Sequence, residues 1–163
     1  MITLVLGGAR SGKSAVAEAI AARHSPVTYL ATIMPDPSDE DLAARVQVHR
    51  SRRPDRWHTV EPPYDIVDVL LATTGTVLLD SLGPWLASHR DFAIDRDGLV
   101  AALGRRSGLT IIVSDEVGMG VHPETELGRR FRDELGRLNQ AVAAVADDCL
   151  LAVAGRTIRL ERP

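Results

Sequence analysis

The sequence has only one cysteine, Cys149, among its 163 residues. An intrachain disulfide and a metal site built from several cysteines are therefore excluded, and a reducing compartment is expected. Aromatic residues make up only 4% of the chain, so the core should consist mainly of Ala, Val, Leu and Ile. No apolar run approaches the roughly 20 residues that a membrane-spanning helix needs. Because the apolar run after Met1 also lacks a basic leader, we expect a cytoplasmic protein with no membrane segment.

The chain also lacks an excess of positive charge, since its formal net charge is -3 at pH 7. A protein that coats nucleic acid normally carries a basic balance, so we expect no nucleic-acid partner. Lysine is almost absent: Lys13 is the single lysine, and every other basic residue except histidine is arginine. Such a composition indicates one position at which arginine cannot replace lysine.

The remaining composition is typical of a globular protein, and we expect a single catalytic domain over residues 1–163. Short apolar runs alternate with segments of helical spacing. This alternation predicts a mostly parallel sheet with helices on both faces, followed by a C-terminal antiparallel hairpin. The predicted strands lie at 2–6, 27–32, 76–80, 109–114 and 150–154, with a hairpin strand at 157–160. The predicted helices lie at 14–23, 38–53, 82–88, 99–105 and 124–146.

A glycine-rich motif, GGARSGKS, follows the first predicted strand and precedes the first predicted helix. It matches the phosphate-binding pattern G-x-x-x-x-G-K-[ST] in the structural context that supports such a match. Backbone N–H groups in such a loop point at one anion, and the helix N-terminus adds positive potential. Lys13 can then reach the β- and γ-phosphates, and the hydroxyl of Ser14 can hold Mg²⁺. The predicted phosphate contacts are Gly7, Gly8, Ala9, Arg10, Ser11, Gly12, Lys13 and Ser14.

Acidic residues end two other predicted strands. Asp80 ends TVLLD, whereas Asp115 and Glu116 end TIIVSDE. A phosphate-loop protein usually places such an acid near Mg²⁺, and we favour Asp80 for this role. Glu116 precedes a GMG loop and is the preferred carboxylate to face an acceptor, although each acid could instead cap a helix or end a strand in solvent.

One segment, from Ser38 to Glu61, combines a histidine with several arginines. Arg45 and His49 are four residues apart, and Arg50, Arg52 and Arg53 follow directly. A neutral imidazole can attack phosphorus to form a covalent nucleotidyl intermediate, and guanidinium groups can bind the phosphates bidentately. From spacing alone, this pattern is more typical of a solvated surface helix.

Together these motifs resemble the bifunctional adenosylcobinamide kinase / adenosylcobinamide-phosphate guanylyltransferase family. The resemblance covers nearly the whole chain. It rests on GGARSGKS at 7–14, on R-V-x-x-H-R-x-x-R-P-x-x-W-x-T-V-E at 45–61, on EVGMG at 116–120 and on RRFRDELGRLNQ at 129–140. It implies phosphorylation of adenosylcobinamide by ATP or GTP. It also implies transfer of GMP from GTP to the product, with release of diphosphate.

The resemblance also implies particular residues, a fold branch and an assembly. His49 is the guanylyl acceptor that the resemblance implies, and Lys13 and Glu116, predicted above from the loop motif and the strand end, are the other expected catalytic residues. The fold should belong to the RecA-like branch of phosphate-loop proteins, with Mg²⁺ at Ser14 and Asp80, and the assembly should be a homotrimer. Beyond the glycine-rich loop, the expected nucleotide contacts are Ala31, Thr32, Ile33, Arg50, Ser51, Arg52, Arg53, Glu61 and Asp80.

Two other functions stay open from the residues alone. In the first, the protein is a single-activity small-molecule kinase in which His49 is not catalytic. In the second, it is a GTP-driven switch, which is less favoured because the guanine-reading motif N-K-x-D needs a lysine outside the glycine-rich loop.

Overall fold

The computed structural model describes residues 1–33, 46–47, 50–51, 53–61 and 65–162. Within these ranges seven strands form one sheet in the order β3-β2-β4-β5-β1-β6-β7. Strands β1 to β6 pair in parallel, and only β7 runs antiparallel, against β6. The strands are β1 (Ile2–Gly7), β2 (Val27–Ala31), β3 (His58–Val60), β4 (Thr76–Asp80), β5 (Thr110–Asp115), β6 (Asp148–Val153) and β7 (Arg156–Arg159).

Helices cover both faces of this sheet. They are α1 (Lys13–Ala21), α2 (Ile66–Ala72), α3 (Leu82–Ala87), α4 (Arg96–Arg105) and α5 (Glu126–Val145), with a 3-10 turn at Arg90–Phe92. Consecutive strand residues point to opposite faces. Leu4 therefore packs in the cluster that includes α2 to α5, whereas Val5 packs in the cluster that includes α1. Burial on both faces explains why the central strands are continuous apolar runs.

The predicted architecture is confirmed, with differences at particular elements. The predicted and observed β4 coincide, and β1, β2 and β5 agree to within a residue at each end. The sequence analysis missed β3 and α2. Strand β3 has only three residues, all partly or fully exposed, so it carries no apolar run that could predict it.

The helix predicted at 38–53 is only partly covered by the described residues. Val46, Gln47, Arg50 and Ser51 are helical, and Arg53 is already outside the helix. The prediction for 34–45, 48–49 and 52 lies outside the described residues.

A partly buried cation, Arg106, joins elements at the amino-terminal edge of the sheet. Its guanidinium donates hydrogen bonds to the carbonyls of Leu70, Thr73 and Gly75 and to the hydroxyl of Thr110. Burial lowers the pKa of this arginine from its ordinary value, and the carbonyl contacts compensate for the lost hydration. Arg106 thus connects α2, the segment before β4 and the start of β5 at the amino-terminal edge.

The parallel arrangement brings the carboxyl ends of β1, β2, β4 and β5 to one edge of the sheet. In open α/β sheets, ligands bind outside this edge. Among the described helices, none has the length and apolarity that crossing a membrane requires.

Candidate active site

The glycine-rich loop connects β1 to α1 and is shaped by two glycines. A Cβ atom on Gly7 would lie 2.4 Å from Oγ of Ser11, so no larger residue fits there. Gly12 has a φ of 89° and no side chain caps α1. Because L residues avoid this left-handed backbone, Gly12 allows the loop to turn directly into the helix. The amide of Lys13 donates to the hydroxyl of Ser11 at 3.3 Å, and the positive end of α1 faces an anion bound in the loop.

The turn between β6 and β7 supports this loop from the side. Gly155 donates its backbone N–H to the carbonyl of Ser11 at 2.8 Å. A Cβ atom on Gly12 would come within 3.0 Å of the Cα of Gly155, so the two segments are in close contact. The C-terminal hairpin predicted from the sequence is therefore part of the surroundings of the loop.

Lys13 extends from the start of α1 toward the end of β5. Its Nζ lies 2.7 Å from Oδ1 of Asp115 and 3.2 Å from the carbonyl of Gly8. The lysine side chain is 14% exposed and that of Asp115 is 33% exposed. The ammonium is thus held close to the loop backbone, where it can meet a bound phosphate.

Ser14 and Asp80 form a pair of oxygen ligands beside the loop. The hydroxyl of Ser14 donates to Oδ1 of Asp80 at 3.2 Å, and the hydroxyl of Tyr29 donates to Oδ2 at 2.6 Å. Hydroxyl and carboxylate oxygens are ligands that Mg²⁺ prefers, and it usually takes only one or two from the protein. These residues therefore fit the predicted metal site, although no group of three or more potential metal ligands occurs within the described ranges.

Tyr29 is buried beside a carboxylate. Burial, with the negative charge of Asp80, raises the pKa of Tyr29 above its ordinary value near 10. The phenol donates to one oxygen of Asp80 and stays protonated to a higher pH than an ordinary tyrosine.

We expect Tyr29→Phe to lower the free energy of unfolding by about 1.5–3 kcal/mol, the usual cost of losing a hydrogen bond to a charged group. The wild type should also lose stability as the pH rises above about 10. Its unfolded phenol then ionises while the folded phenol, with its raised pKa, does not. Urea unfolding at pH 7 and at about pH 11 measures both effects. If the free energy of unfolding changed with pH equally in wild type and in Tyr29→Phe, the predicted role of the phenol proton would be contradicted.

Glu116 lies at the end of β5 but its carboxylate turns onto its own loop. Its two oxygens accept hydrogen bonds from the amides of Gly118 at 2.7 Å and Met119 at 3.1 Å. The carboxylate that contacts Lys13 is instead that of Asp115, which the sequence analysis considered without assigning it a role. The catalytic role of Glu116 stays a prediction.

A cleft opens beside β3. The guanidinium of Arg53 lies 3.7 Å above the ring of Tyr29, and that ring stacks on Trp57 with centroids 6.3 Å apart. Arg50 pairs with Glu61 across the cleft. The cleft has a volume of about 500 Å³ and is lined by Arg50, Arg53, Pro54, Asp55, Trp57, Thr59 and Glu61.

Unused hydrogen-bond donors occur in the walls of this cleft. Within the described residues, Nε of Arg53 and Nε1 of Trp57 are buried without a hydrogen-bond partner. A buried N–H group without a partner is costly. Both atoms belong to residues that line the cleft, but the atoms themselves are enclosed by protein, so a ligand reaches them only if the side chains shift.

Most predicted nucleotide contacts lie at this edge of the sheet. Ala31, Ile33, Arg50, Arg53, Glu61 and Asp80 line one pocket that also includes Tyr29 and Val46. Thr32 has another role, because its hydroxyl donates to the carbonyl of Ser81 at 2.6 Å and accepts from the amide of that residue at 2.7 Å. Ser51 is exposed. His49 and Arg52 lie outside the described residues.

The sequence analysis assigned no role to Tyr29 or Trp57. Tyr29 lies two residues before Ala31 in an apolar strand, a position that is typical of an ordinary core residue. Trp57 belongs to the motif at 45–61 but carries no catalytic signal of its own.

The fold and the loop define the class of this protein. Strand β5 lies between β1, which leads into the glycine-rich loop, and β4, which ends at Asp80. This is a phosphate-loop nucleotide-binding fold, as the motifs predicted. Solved structures share the fold. Flagellar accessory protein FlaH from Methanocaldococcus jannaschii matches with a TM-score of 0.50, 14% identity and coverage of 96% of this chain and 74% of that chain. A Pyrococcus horikoshii protein, PH0250, matches with a TM-score of 0.55, 9% identity and coverage of 97% and 84%.

Sequence similarity identifies the family. Residues 3–160 match the family described as cobinamide kinase / cobinamide phosphate guanyltransferase. The chain is 37% identical over 183 aligned positions to the bifunctional adenosylcobalamin biosynthesis protein CobU of Escherichia coli, covering 99% of this chain and 100% of the relative. It is 39% identical over 171 positions to the bifunctional protein CobP of Pseudomonas aeruginosa, covering 99% and 98%. The chain therefore belongs to the cobinamide kinase / cobinamide phosphate guanyltransferase family, as its motifs predicted.

Proposed function

We propose that this chain carries out both family reactions within one catalytic domain spanning residues 1–163. It phosphorylates the hydroxyl of the aminopropanol arm of adenosylcobinamide with ATP or GTP. It then transfers GMP from GTP to that phosphate through a guanylyl-histidine at His49. The observation that carries the proposal is the shared sheet edge, where Lys13 contacts Asp115, Ser14 contacts Asp80, and Asp80 lines one pocket with Arg50 and Arg53.

In the kinase step, the glycine-rich loop and Lys13 hold the β- and γ-phosphates. Ser14 and Asp80 would hold Mg²⁺, which neutralises phosphate charge when it is bound. The acceptor hydroxyl oxygen attacks the γ-phosphorus, and the bond from that phosphorus to the bridging oxygen breaks. The hydroxyl proton passes to a carboxylate, and we assign this role to Glu116.

In the guanylyl step, a ring nitrogen of His49 attacks the α-phosphorus of GTP and diphosphate leaves. An oxygen of adenosylcobinamide phosphate then attacks the same phosphorus, and the phosphorus–nitrogen bond breaks to give adenosylcobinamide-GDP. Arg50 and Arg53 line the cleft next to Asp80. Their guanidinium groups can stabilise the charge that develops on the phosphates.

The base of the guanine nucleotide is assigned to the cleft of about 500 Å³. Guanine presents adjacent N–H donors, which suit the carboxylate of Glu61. Its carbonyl can accept from a guanidinium in the wall of the cleft, that of Arg50 or Arg53. A cleft lined by a carboxylate and by guanidinium donors therefore favours guanine.

The assembly we propose is a cytoplasmic homotrimer. Exposed apolar side chains support an interface between copies, because such residues rarely face solvent together without a partner. Met119 is 74% exposed, Val121 is 95% exposed and Leu127 is 63% exposed. All three lie in or just after the loop that follows β5.

An assay of the wild-type protein tests both reactions. With adenosylcobinamide, Mg²⁺ and γ-labelled ATP, we expect label to appear on the corrinoid. Addition of GTP should then convert this product to adenosylcobinamide-GDP and release one diphosphate for each conversion. A reaction that stops at adenosylcobinamide phosphate with excess GTP would support the single-activity kinase instead. The absence of any phosphorylated product would contradict both.

A further inference from the structure

The ion pair between Lys13 and Asp115 places a negative charge at the phosphate-binding loop. Lys13 is the first residue of α1, which follows β1 through the glycine-rich loop, and Gly7 at the end of β1 is in register with Asp115 at the end of β5. Nζ of Lys13 and Oδ1 of Asp115 are 2.7 Å apart. The cation that a nucleotide needs is therefore already in contact with a carboxylate of the protein.

The position of this carboxylate is fixed from two sides. A Cβ atom on Gly83, in the first turn of α3, would lie 2.6 Å from Oδ2 of Asp115, so the glycine leaves room for the carboxylate. The side chain of Asn139 on α5 donates to the backbone carbonyl of Asp115 at 3.0 Å and accepts from the hydroxyl of Ser114 at 2.6 Å. Asp115 is thus held by packing and by hydrogen bonds to its strand, and is not a freely moving surface acid.

The same geometry determines how Asp115 acts on a bound phosphate. A phosphate oxygen bound to the ammonium of Lys13 lies about 2.8 Å from it, and so within about 6 Å of the carboxylate. At that separation two negative charges repel, and only partial solvent screening reduces the repulsion. Asp115 therefore opposes phosphate binding in two cases: when its carboxylate stays paired with Lys13, and when the bound nucleotide breaks that ion pair.

We propose that Asp115 sets the affinity of the loop for the outer phosphates of its nucleotides. Its carboxylate competes with the β- and γ-phosphates for Lys13 and so weakens the binding of triphosphate and of diphosphate. An enzyme that releases a nucleoside diphosphate after one step and inorganic diphosphate after the next needs such a limit on affinity. This inference rests on the proposed function, because it requires nucleotide phosphates in the loop.

The test compares wild type with Asp115→Asn, which removes the charge and keeps the shape. Calorimetry with Mg²⁺ and no corrinoid measures binding of the α,β-methylene analogue of GTP, which cannot guanylylate the protein. We expect its Kd to fall about tenfold in the variant, equivalent to about 1.4 kcal/mol. The Kd of GMP should change less than twofold, because GMP has no outer phosphates to contact Lys13.

Asp148→Asn is the matched control. Like Asp115, Asp148 pairs with a basic side chain, here that of Arg159. The side chain of Asp148 is 32% exposed. It begins β6, at the opposite edge of the sheet. We expect it to leave both dissociation constants unchanged.

Several outcomes would overturn the inference. An unchanged or raised Kd of the triphosphate analogue in Asp115→Asn would do so. An equal shift for the analogue and GMP would indicate a general structural effect instead. An unchanged Kd combined with loss of phosphorylation would make Asp115 a proton acceptor instead. If neither protein bound the analogue, the proposed function would fail, and this inference with it.

Discussion

Replacement of His49 by alanine is expected to abolish guanylylation of the protein and to lower GMP transfer by about 10⁴-fold or more. Removal of a covalent nucleophile leaves no route to the intermediate, and only the binding and electrostatic contributions remain. In the sequence His49 lies between Val46 and Arg50, two residues that line one pocket with Asp80. The expected magnitude reflects loss of the reacting atom, which nearby groups cannot replace.

The guanylylated protein can be measured directly. Wild-type protein incubated with Mg²⁺ and GTP labelled at the α-phosphate should retain label that acid removes and base does not, as expected for a phosphorus–nitrogen bond. GTP labelled at the γ-phosphate should leave none. His49→Asn, which keeps a polar side chain without a nucleophilic nitrogen, should behave like the alanine variant. His24→Ala replaces an exposed histidine that follows α1 and should retain full labelling.

The kinase reaction distinguishes loss of the nucleophile from loss of the fold. Phosphoryl transfer occurs at the outermost phosphorus and does not use the imidazole of His49. We therefore expect His49→Ala to continue to phosphorylate adenosylcobinamide. Label bound as strongly by His49→Ala as by wild type would assign the adduct to another residue and contradict the proposed intermediate.

The parallel sheet and the glycine-rich loop could be predicted because each leaves a local signal. Strands buried on both faces, such as β4, are continuous apolar runs. The loop motif lies at fixed spacing between a strand and a helix. Strand β3 leaves no such signal, because its residues are exposed or only partly buried at an edge. Its pairing with β2 depends on tertiary structure alone.

The roles of the acids could not be distinguished from sequence because they depend on strand order. Asp80 and Asp115 both end apolar strands, and only the order of strands decides which neighbours each acid meets. β5 lies next to β1, which places Asp115 against Lys13. β4 lies one strand further from β1, and its Asp80 accepts hydrogen bonds from Ser14 and Tyr29. Glu116 follows β5 directly, yet amides of its own loop hold its side chain.

Replacement of Lys13 by alanine is expected to lower kcat/KM for phosphoryl transfer by about 10²–10³-fold, the usual effect of removing one group that stabilises transition-state charge. The rate of γ-label transfer to adenosylcobinamide measures it. Full kinase activity in this variant would contradict the assignment of the loop. Urea unfolding of the same sample checks that the fold persists.

Lys13→Arg tests why this chain has only one lysine. The ammonium lies between Asp115 and the carbonyl of Gly8, and the side chain is only 14% exposed. A guanidinium is wider and planar, and its donors point in a fixed fork, so it cannot occupy the same space with the same contacts. We therefore expect Lys13→Arg to be nearly as impaired as Lys13→Ala although it keeps the charge. Full activity would show that charge alone is sufficient at this position.

The effect of losing Lys13 should depend on Asp115. In Lys13→Ala the carboxylate remains beside the phosphates without its cation, so repulsion adds to the loss of the ammonium. The double variant Lys13→Ala/Asp115→Asn removes this repulsion, so Asp115→Asn should tighten triphosphate binding by a larger factor in Lys13→Ala than in wild type. Residues in direct contact are expected to give such non-additive effects. Equal factors in the two backgrounds would mean that the 2.7 Å contact carries no energetic coupling.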